Sequence, residues 1–307
     1  MNNLLEAIFS VEFGYSIIRI TTPLLFAALA ALVCNKGGVL HIGFEGIMLT
    51  SAFTGVVGSA YSQNLFVGLI SGILGGVLIS MLLGYFNLVL KANIVLTGIA
   101  LNTFASGGTI FMLYVLVKDK GLSTALPSLT FPNVEIPIIQ NIPILGDILS
   151  GHNLLTYISL ICVVFVSVLI FKTPLGLRIR TVGENEDAAS SVGINVTKVK
   201  FLTLFLSGII ASLGGIYMSM GYLSWFARDM VAGRGFMGIA AQNLGGGQPI
   251  PTLLSALGFG IANALSNVLQ TLNVPAEFVQ ALPYIATIIG LVAYSKSVKK
   301  KRTKSKK

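Results

Sequence analysis

Long apolar runs without any charged residue dominate the chain and alternate with short polar segments. About 20 helical residues cross the hydrocarbon core of a bilayer, so most of these runs suit one transmembrane helix, and the longest suits two. The pattern therefore predicts an all-α polytopic membrane protein. The runs are 65–90, 92–117, 153–171, 201–227, 236–276 and 278–295.

The hydropathy pattern predicts about nine membrane spans in a single transmembrane domain, 1–295. The seventh span is short, and we expect it to be a broken helix. Long connections at 118–153 and 172–200 and a basic tail at 296–307 complete the chain. The predicted spans are 17–33, 39–60, 66–90, 94–117, 154–171, 201–222, 236–247, 253–270 and 281–295.

Composition supports this class of fold. Of 307 residues, 54% are hydrophobic and only 10% are charged, and the mean hydropathy is +0.85. Soluble domains carry roughly 25% charged residues, so a soluble core is excluded. The two cysteines, Cys34 and Cys162, lie in or beside apolar segments without metal-ligand spacing, and we expect inert thiols.

The distribution of basic residues predicts the orientation. With a cytoplasmic C-terminus, most of the 20 Lys and Arg residues fall on the cytoplasmic side, including those of the loop 172–200 and the tail. Nine spans then place the N-terminus and the loop 118–153 outside. The tail is expected to anchor at anionic lipid. The basic residues left outside are Arg19, Lys118, Lys120, Arg228 and Arg234.

Small residues recur at every fourth position of the third span. Because lipid provides no hydrophobic drive for helices to associate, such a stripe predicts close helix packing. We assign it no chemistry. Its members are Gly68, Gly72, Gly76, Ser80 and Gly84.

Two charged sites near the spans each have two interpretations. Glu45, near the start of the second span, is either a pathway residue near the cytoplasmic mouth or a structural carboxylate bound to backbone at a helix break. Arg228, Asp229 and Arg234, expected at the external end of the sixth and seventh spans, form either a salt-bridged cap or a docking contact. A shared G-F-x-G-I pattern at 43–47 and 235–239 hints at inverted repeats with broken helices.

The most polar internal segment carries a short predicted helix at 184–191. Three acidic residues fit its first turn, where they complement the helix dipole, and Gly193 is placed to end it. Spacing alone leaves a solvated loop helix and a docking helix equally open. The sequence here reads G-E-N-x-x-A-A-x-x-x-G, formed by Gly183, Glu184, Asn185, Ala188, Ala189 and Gly193.

This pattern resembles the coupling motif of permeases of ATP-driven ABC importers, in the ribose, nucleoside and branched-chain amino-acid permease superfamily. The segments 38–53, 232–241 and 274–292 are similar to its nucleoside branch, which is served by basic-membrane-protein-type lipoproteins. The resemblance implies a bacterial cell-membrane permease that works with a cytoplasmic ABC ATPase, a second related permease subunit and an external substrate-binding lipoprotein. It favours nucleosides over simple sugars.

The residues point to transport rather than catalysis. The chain has no GxxxxGK[ST] phosphate-binding loop, so ATP must be bound by a partner subunit, and we expect no cofactor, metal or catalytic residue in this chain. An ion-coupled carrier is the alternative, but most spans lack the ionisable residues it needs. A pathway of uncharged polar and aromatic groups, joined by Glu45, is expected. Its candidates are Asn102, Thr103, Phe104, Ser106, Tyr217, Gln242 and Asn243.

Overall fold

The computed structural model describes residues 8, 10–137 and 145–270, which are almost entirely helical outside short loops. A two-residue antiparallel ribbon pairs β1 (Asn133–Val134) with β2 (His152–Asn153). The helices are α1 (Val11–Lys36), α2 (Phe44–Ser62), α3 (Leu65–Gly84), α4 (Ile94–Val117), α5 (Leu145–Leu149), α6 (Leu154–Lys172), α7 (Pro174–Glu184), α8 (Glu186–Ser191), α9 (Val196–Ile216), α10 (Arg234–Leu244) and α11 (Pro249–Gln270).

Polar caps explain where several helices begin. The side-chain oxygen of an asparagine accepts hydrogen bonds from the first free backbone N–H groups, which would otherwise lack partners. Two helices continue without a break into π-helical turns, α3 through Tyr85–Val89 and α9 through Tyr217–Tyr222. The capping asparagines are Asn64 for α3, Asn93 for α4, Asn153 for α6, Asn185 for α8 and Asn195 for α9.

Six helices of the described chain are long and apolar enough to cross a membrane: α1, α3, α4, α6, α9 and α11. They match the first, third, fourth, fifth, sixth and eighth predicted spans. The second prediction corresponds to α2, which has 19 residues, and the seventh to α10, which has only 11 residues and is about 17 Å long. The ninth prediction, 281–295, lies outside the described residues.

The first helix, α1, forms the centre of the bundle. Its residues from Thr21 to Cys34 are all buried, and α6, α9, α10 and α11 pack around it. A helix that is buried on every side needs no polar face, which is why the sequence shows a uniformly apolar run here.

The small-residue stripe of α3 packs as predicted. A Cβ atom on Gly72 would lie 2.6 Å from the Ile216 side chain, and one on Gly76 would lie 2.1 Å from Ser212 Oγ. Farther along, Ser80 Oγ donates a hydrogen bond of 2.7 Å to the Leu204 carbonyl. The stripe therefore lets α3 approach α9 closely.

Candidate functional site

The start of α2 is built by groups from two neighbouring segments. His41 Nδ1 accepts a hydrogen bond of 3.1 Å from the Gly43 N–H. Asn102, on α4, accepts from the Gly46 N–H at 2.8 Å and donates to the Ile42 carbonyl at 2.9 Å. One amide side chain thus satisfies a donor and an acceptor at the point where α2 begins. The predicted pathway residue Asn102 therefore has a positioning role.

Glu45 joins the start of α2 to the start of α10. Its Oε1 accepts from the Gly233 N–H at 2.7 Å, and its Oε2 accepts from the Gly235 N–H at 2.9 Å. A carboxylate at this position complements the positive end of the α10 dipole. A Cβ atom on Gly235 would lie 2.5 Å from the Glu45 nitrogen, so the close approach requires glycine. Of the two interpretations of Glu45, this geometry matches the structural carboxylate.

The backbone before α10 is held in an unusual conformation. Asp229, Ala232 and Gly233 have positive φ angles of 52°, 49° and 79°. Left-handed conformations are costly for residues with a Cβ, and they persist where surrounding contacts fix them. Here they turn the chain so that the N–H groups at the start of α10 face Glu45.

The two G-F-x-G-I segments therefore meet in space. The first contains the N-terminus of α2 and the second that of α10, and the Glu45 carboxylate bonds one to the other. Two helix starts carry partial positive charge, so a shared carboxylate stabilises their close approach.

A charged cluster lies beside this junction. Asp229 Oδ2 accepts from Arg228 Nε at 3.2 Å, and its Oδ1 accepts from Ser106 Oγ at 2.8 Å. Arg234 donates to the carbonyls of Met230 and Val231 at 3.2 and 3.0 Å. Both Arg228 and Asp229 are more than half exposed.

One contact of these charges was not part of the sequence-based prediction. Ser106 lies about 18 Å from the first residue of α4 and about 17 Å from the last, at 1.5 Å per residue. Asp229 therefore contacts the middle of an apolar helix, although it lies, as predicted, between the end of the sixth span and the start of the seventh. That this position is on the external side stays a prediction. The contact with Ser106 could not be predicted, because residues 223–233 reach α4 as a loop without a regular helix. Exposed charges at this depth require water or a polar partner.

The other predicted pathway residues do not converge on the cluster. Phe104 is 63% exposed and lines an apolar groove between α3 and α4. Tyr217 is buried, and its hydroxyl donates to the Arg19 carbonyl at 3.2 Å. Gln242 is 1% exposed, and its Oε1 has no hydrogen-bond partner within the described residues. Asn243 is exposed on α10. Tyr217 and Gln242 thus lie in the interior, where packing buries them.

The predicted docking segment consists of two helices rather than one. Glu184 is the last residue of α7, and Asn185 begins α8 by accepting a hydrogen bond of 2.9 Å from the Ala188 N–H. The predicted helix over 184–191 with Glu184 in its first turn is therefore wrong, because the Asn185 side chain caps a new helix start. Gly193 has φ +82° just after α8, in agreement with its predicted terminating role.

Two neighbouring alanines of α8 have opposite environments. Ala189 is completely buried against the rest of the chain, whereas Ala188 is exposed. Glu186 forms an ion pair with Lys200 on α9, which ties α8 to that helix. Gly183 sits so close to the Lys36 carbonyl that a Cβ atom would be 2.1 Å away. The segment is thus packed on the bundle and presents only part of its surface outward.

Within the described residues, no group of three or more His, Cys, Asp or Glu side chains is arranged to hold a metal ion. Cys34 and Cys162 are free thiols. Six long apolar helices of the described chain surround the junction at which α2 and the short α10 begin. This arrangement defines a multi-pass membrane protein of the transport type.

The chain belongs to the family described as the branched-chain amino acid transport system / permease component, whose model matches residues 15–291. It is 34% identical to the guanosine ABC transporter permease protein NupQ of Bacillus subtilis, over 89% of this chain and 88% of that protein. It is 31% identical to the nucleoside ABC transporter permease protein NupC of Lactococcus lactis, over 89% of each.

The fold is similar to that of a solved structure described as PsaBC from Streptococcus pneumoniae in complex with Fab. The TM-score is 0.52 at 14% sequence identity, and the match covers 94% of each chain. A putative glucose ABC transporter permease protein, TsgC13 of Haloferax volcanii, is 29% identical over 85% of this chain and 78% of its own length.

Proposed function

We propose that this chain is the membrane-spanning subunit of an ATP-driven importer of nucleosides. The observation that carries this is its similarity, over nearly nine tenths of both chains, to permeases for guanosine and for nucleosides. The sequence contains no GxxxxGK[ST] phosphate-binding loop, which supports a separate ABC ATPase as the subunit that hydrolyses ATP.

The charged cluster beside α4 is the proposed lining of the translocation pathway. Asp229 bonds to Ser106 midway along α4 and pairs with the exposed Arg228, and a nucleoside offers hydroxyl and ring groups that hydrogen-bond to such side chains. Asn243 and Phe236 are exposed on the neighbouring α10 and supply an amide and an aromatic ring. Glu45 and Asn102 fix the helix starts behind this surface.

The proposed topology has nine spans, with the N-terminus outside and the C-terminus in the cytoplasm of a bacterial cell. Six of the nine are the long apolar helices, and α2 and the short α10 are two more. Helices broken near the middle of a bundle are typical of inverted-repeat transporters, and the junction of α2 and α10 supports that plan here.

The topology is tested with reporters. A reporter fused after Lys307 should be cytoplasmic, and one inserted near Ser128 should be external. Ser128 is bonded to the Ser224 carbonyl at 2.9 Å, so the insertion should be made with a flexible linker. Finding both reporters on the same side of the membrane would contradict the nine-span topology.

The proposed assembly contains a cytoplasmic ATPase docked on α8, a second related permease subunit and an external substrate-binding lipoprotein. The exposed side of α8, at Ala188, is the proposed docking surface for the ATPase. The structural support is the Glu186–Lys200 ion pair, through which motion of α8 passes to α9. Both helices then move as one element.

The function is tested by uptake into proteoliposomes that contain the assembled complex. Labelled guanosine should enter only when ATP and the binding protein are present, and uptake should survive collapse of the proton gradient. Glucose, offered under the same conditions, tests the sugar alternative. Uptake driven by a pH gradient without nucleotide would contradict the proposal and favour an ion-coupled carrier.

A further inference from the structure

Two cations at the end of α6 lie against one aromatic ring. Lys36 Nζ is 5.7 Å from the centre of the Phe171 ring, and the guanidinium carbon of Arg180 is 5.4 Å from it. The Nε atom of Arg180 is buried and has no hydrogen-bond partner in the part of the chain that the structure describes. Neither cation belongs to an ion pair found among the described residues. The ring and its two cations are called the Phe171 cluster below.

An exposed apolar stripe on α6 leads to this cluster. Ile161, Phe165 and Val168 are 64%, 52% and 48% exposed, and Lys172 follows on the same face at the end of the helix. Residues spaced three and four apart share one helix face, so these side chains form a continuous strip along the span. From Ile161 to Val168 the strip covers about 10 Å of helix, enough for the part of an acyl chain next to the headgroup, and it ends where the positive charge begins.

We propose that the Phe171 cluster binds the phosphate of an anionic phospholipid, whose acyl chain lies along the stripe of α6. The charge is complementary, because Lys36 and Arg180 meet at the Phe171 ring and the exposed Lys172 ends the stripe. Arginine presents a planar array of donors that suits a phosphate, and aromatic rings favour the interface between headgroups and hydrocarbon.

The charge of the remaining chain favours a lipid over an internal partner. The tail 296–307 carries only basic charges, and 271–295 contains a single acidic residue, Glu277. Within the described part, Glu186 is paired with Lys200. A carboxylate from another subunit could form an ion pair with these cations, but it would not cover the apolar stripe beside them. A phospholipid covers both.

The site is tested by native mass spectrometry of the purified chain in detergent with equal amounts of phosphatidylglycerol and phosphatidylcholine of the same acyl length. The wild type should retain one phosphatidylglycerol in preference to phosphatidylcholine. Lys36→Gln and Arg180→Gln should each weaken retention roughly fivefold, since one basic residue near an anionic headgroup contributes about that factor. Arg180→Lys, which keeps the charge, should lose less.

The matched control is the double variant Lys118→Gln/Lys120→Gln. These two lysines also share one ring, with Nζ atoms 5.5 and 5.2 Å from the centre of Tyr114, and α4 exposes Phe111 and Val115 beside them. The control therefore offers a ring, two cations and an apolar face, but its cations are lysines alone, without the arginine of the Phe171 cluster. Its phosphatidylglycerol retention should equal that of the wild type. Equal losses in the control and in the cluster variants would contradict a specific site.

Two further arms distinguish the source of the anion. The double variant Ile161→Ser/Phe165→Ser keeps all the cations and should nevertheless weaken phosphatidylglycerol retention. If only the headgroup were bound, this variant would retain the lipid as the wild type does. Millimolar glycerol phosphate should fail to displace the lipid; full displacement would identify a soluble-phosphate site and overturn the proposal. Unchanged lipid retention in the cluster variants, together with loss of ATPase binding, would assign the cations to the partner protein and also overturn it.

Discussion

Glu45 shows how one side chain can fix the geometry of two helices. Its two oxygens each accept a backbone N–H from the segment that starts α10, although the partners are 188 and 190 residues away in sequence. Hydrogen bonds to an ionised group contribute more than neutral ones, typically about 1.5–3 kcal/mol. The carboxylate is therefore a structural element of the junction as well as a neighbour of the proposed pathway.

We expect Glu45→Gln to lower the free energy of unfolding by about 1–3 kcal/mol. The glutamine side chain keeps one accepting oxygen, but its NH2 group faces the second backbone N–H and cannot accept a hydrogen bond from it. Transport should fall as well, since α2 and α10 lose their common anchor. Unfolding is measured by titration with SDS in mixed micelles, and transport by guanosine uptake.

The control for this variant is Glu12→Gln. Glu12 also lies in the first turn of a helix but is exposed, so its loss should change stability by no more than a few tenths of a kcal/mol. Wild-type stability of Glu45→Gln would show that the two hydrogen bonds have no net effect.

At the scale of elements, α8 combines an internal and an external surface in six residues. Both alanines belong to the motif that resembles the coupling motif of ABC importer permeases, but the structure buries Ala189 and exposes only Ala188. The two positions therefore separate folding from docking.

We expect Ala189→Leu to destabilise the subunit itself, because overpacking a filled site costs about 1–3 kcal/mol. Ala188→Leu should leave the fold intact and abolish stimulation of the ATPase by liganded binding protein. The measurements are SDS unfolding and ATPase activity of the complex. If Ala188→Leu kept both ATPase stimulation and transport, α8 would not be the docking helix.

The element scale also shows what the sequence could predict. Uniform apolar runs identified α3, α4, α6, α9 and α11, because a long charge-free segment in lipid has few alternatives to a helix. The division of 184–191 between α7 and α8 was not predictable, because it depends on Asn185 capping α8 and on Gly183 packing against Lys36. Glu184 ends α7 and directly precedes the Asn185 cap of α8, so a Glu184→Lys change would favour the dipole of α7 and oppose that of α8.

The candidate site was predictable only in part. Glu45 and Asn102 stood out as polar residues in apolar surroundings, and the structure brings them to the same helix start. The pairing of Ser106 with Asp229 was missed, because contacts across 123 residues leave no local pattern. Tyr217 and Gln242 were selected by polarity alone, which does not distinguish a pathway from a buried contact.

At the scale of the whole molecule, the layer formed by 121–134 and 145–153 closes one end of the bundle. Ser123 accepts from the Phe226 N–H at 2.8 Å, and the Phe131 N–H donates to the Met220 carbonyl at 2.8 Å. His152 stacks on Tyr15 at a ring distance of 3.9 Å, and its Nε2 lies 2.8 Å from the Ile148 carbonyl. This layer connects α1, α6 and α9.

The pKa of His152 lies below its ordinary value of 6.5, chiefly because burial disfavours the charged ring, with the positive charge of Arg19 acting in the same direction. The folded protein therefore binds this proton less readily than the unfolded chain. Stability is full above about pH 6.5 and falls as the pH drops below it.

We expect the melting temperature of the wild type to be lower at pH 5.5 than at pH 7.5, and His152→Gln to show a smaller decrease, because it removes one of the titrating groups. The comparison is made in one detergent at constant ionic strength. An identical decrease in both proteins would show that other groups cause the acid sensitivity.

The link between Glu45 and α10 also has a consequence for biosynthesis. Asn102 is made 57 residues after Glu45, whereas the Gly233 N–H is added 188 residues after it. At about 5–20 residues per second, the ribosome needs roughly 10–40 s to supply that partner. During this interval the Glu45 carboxylate has been made but its partner at the start of α10 has not. The carboxylate must therefore stay in contact with water inside the insertion machinery. The start of α2 therefore reaches its final structure only after the segment that begins α10 has been made.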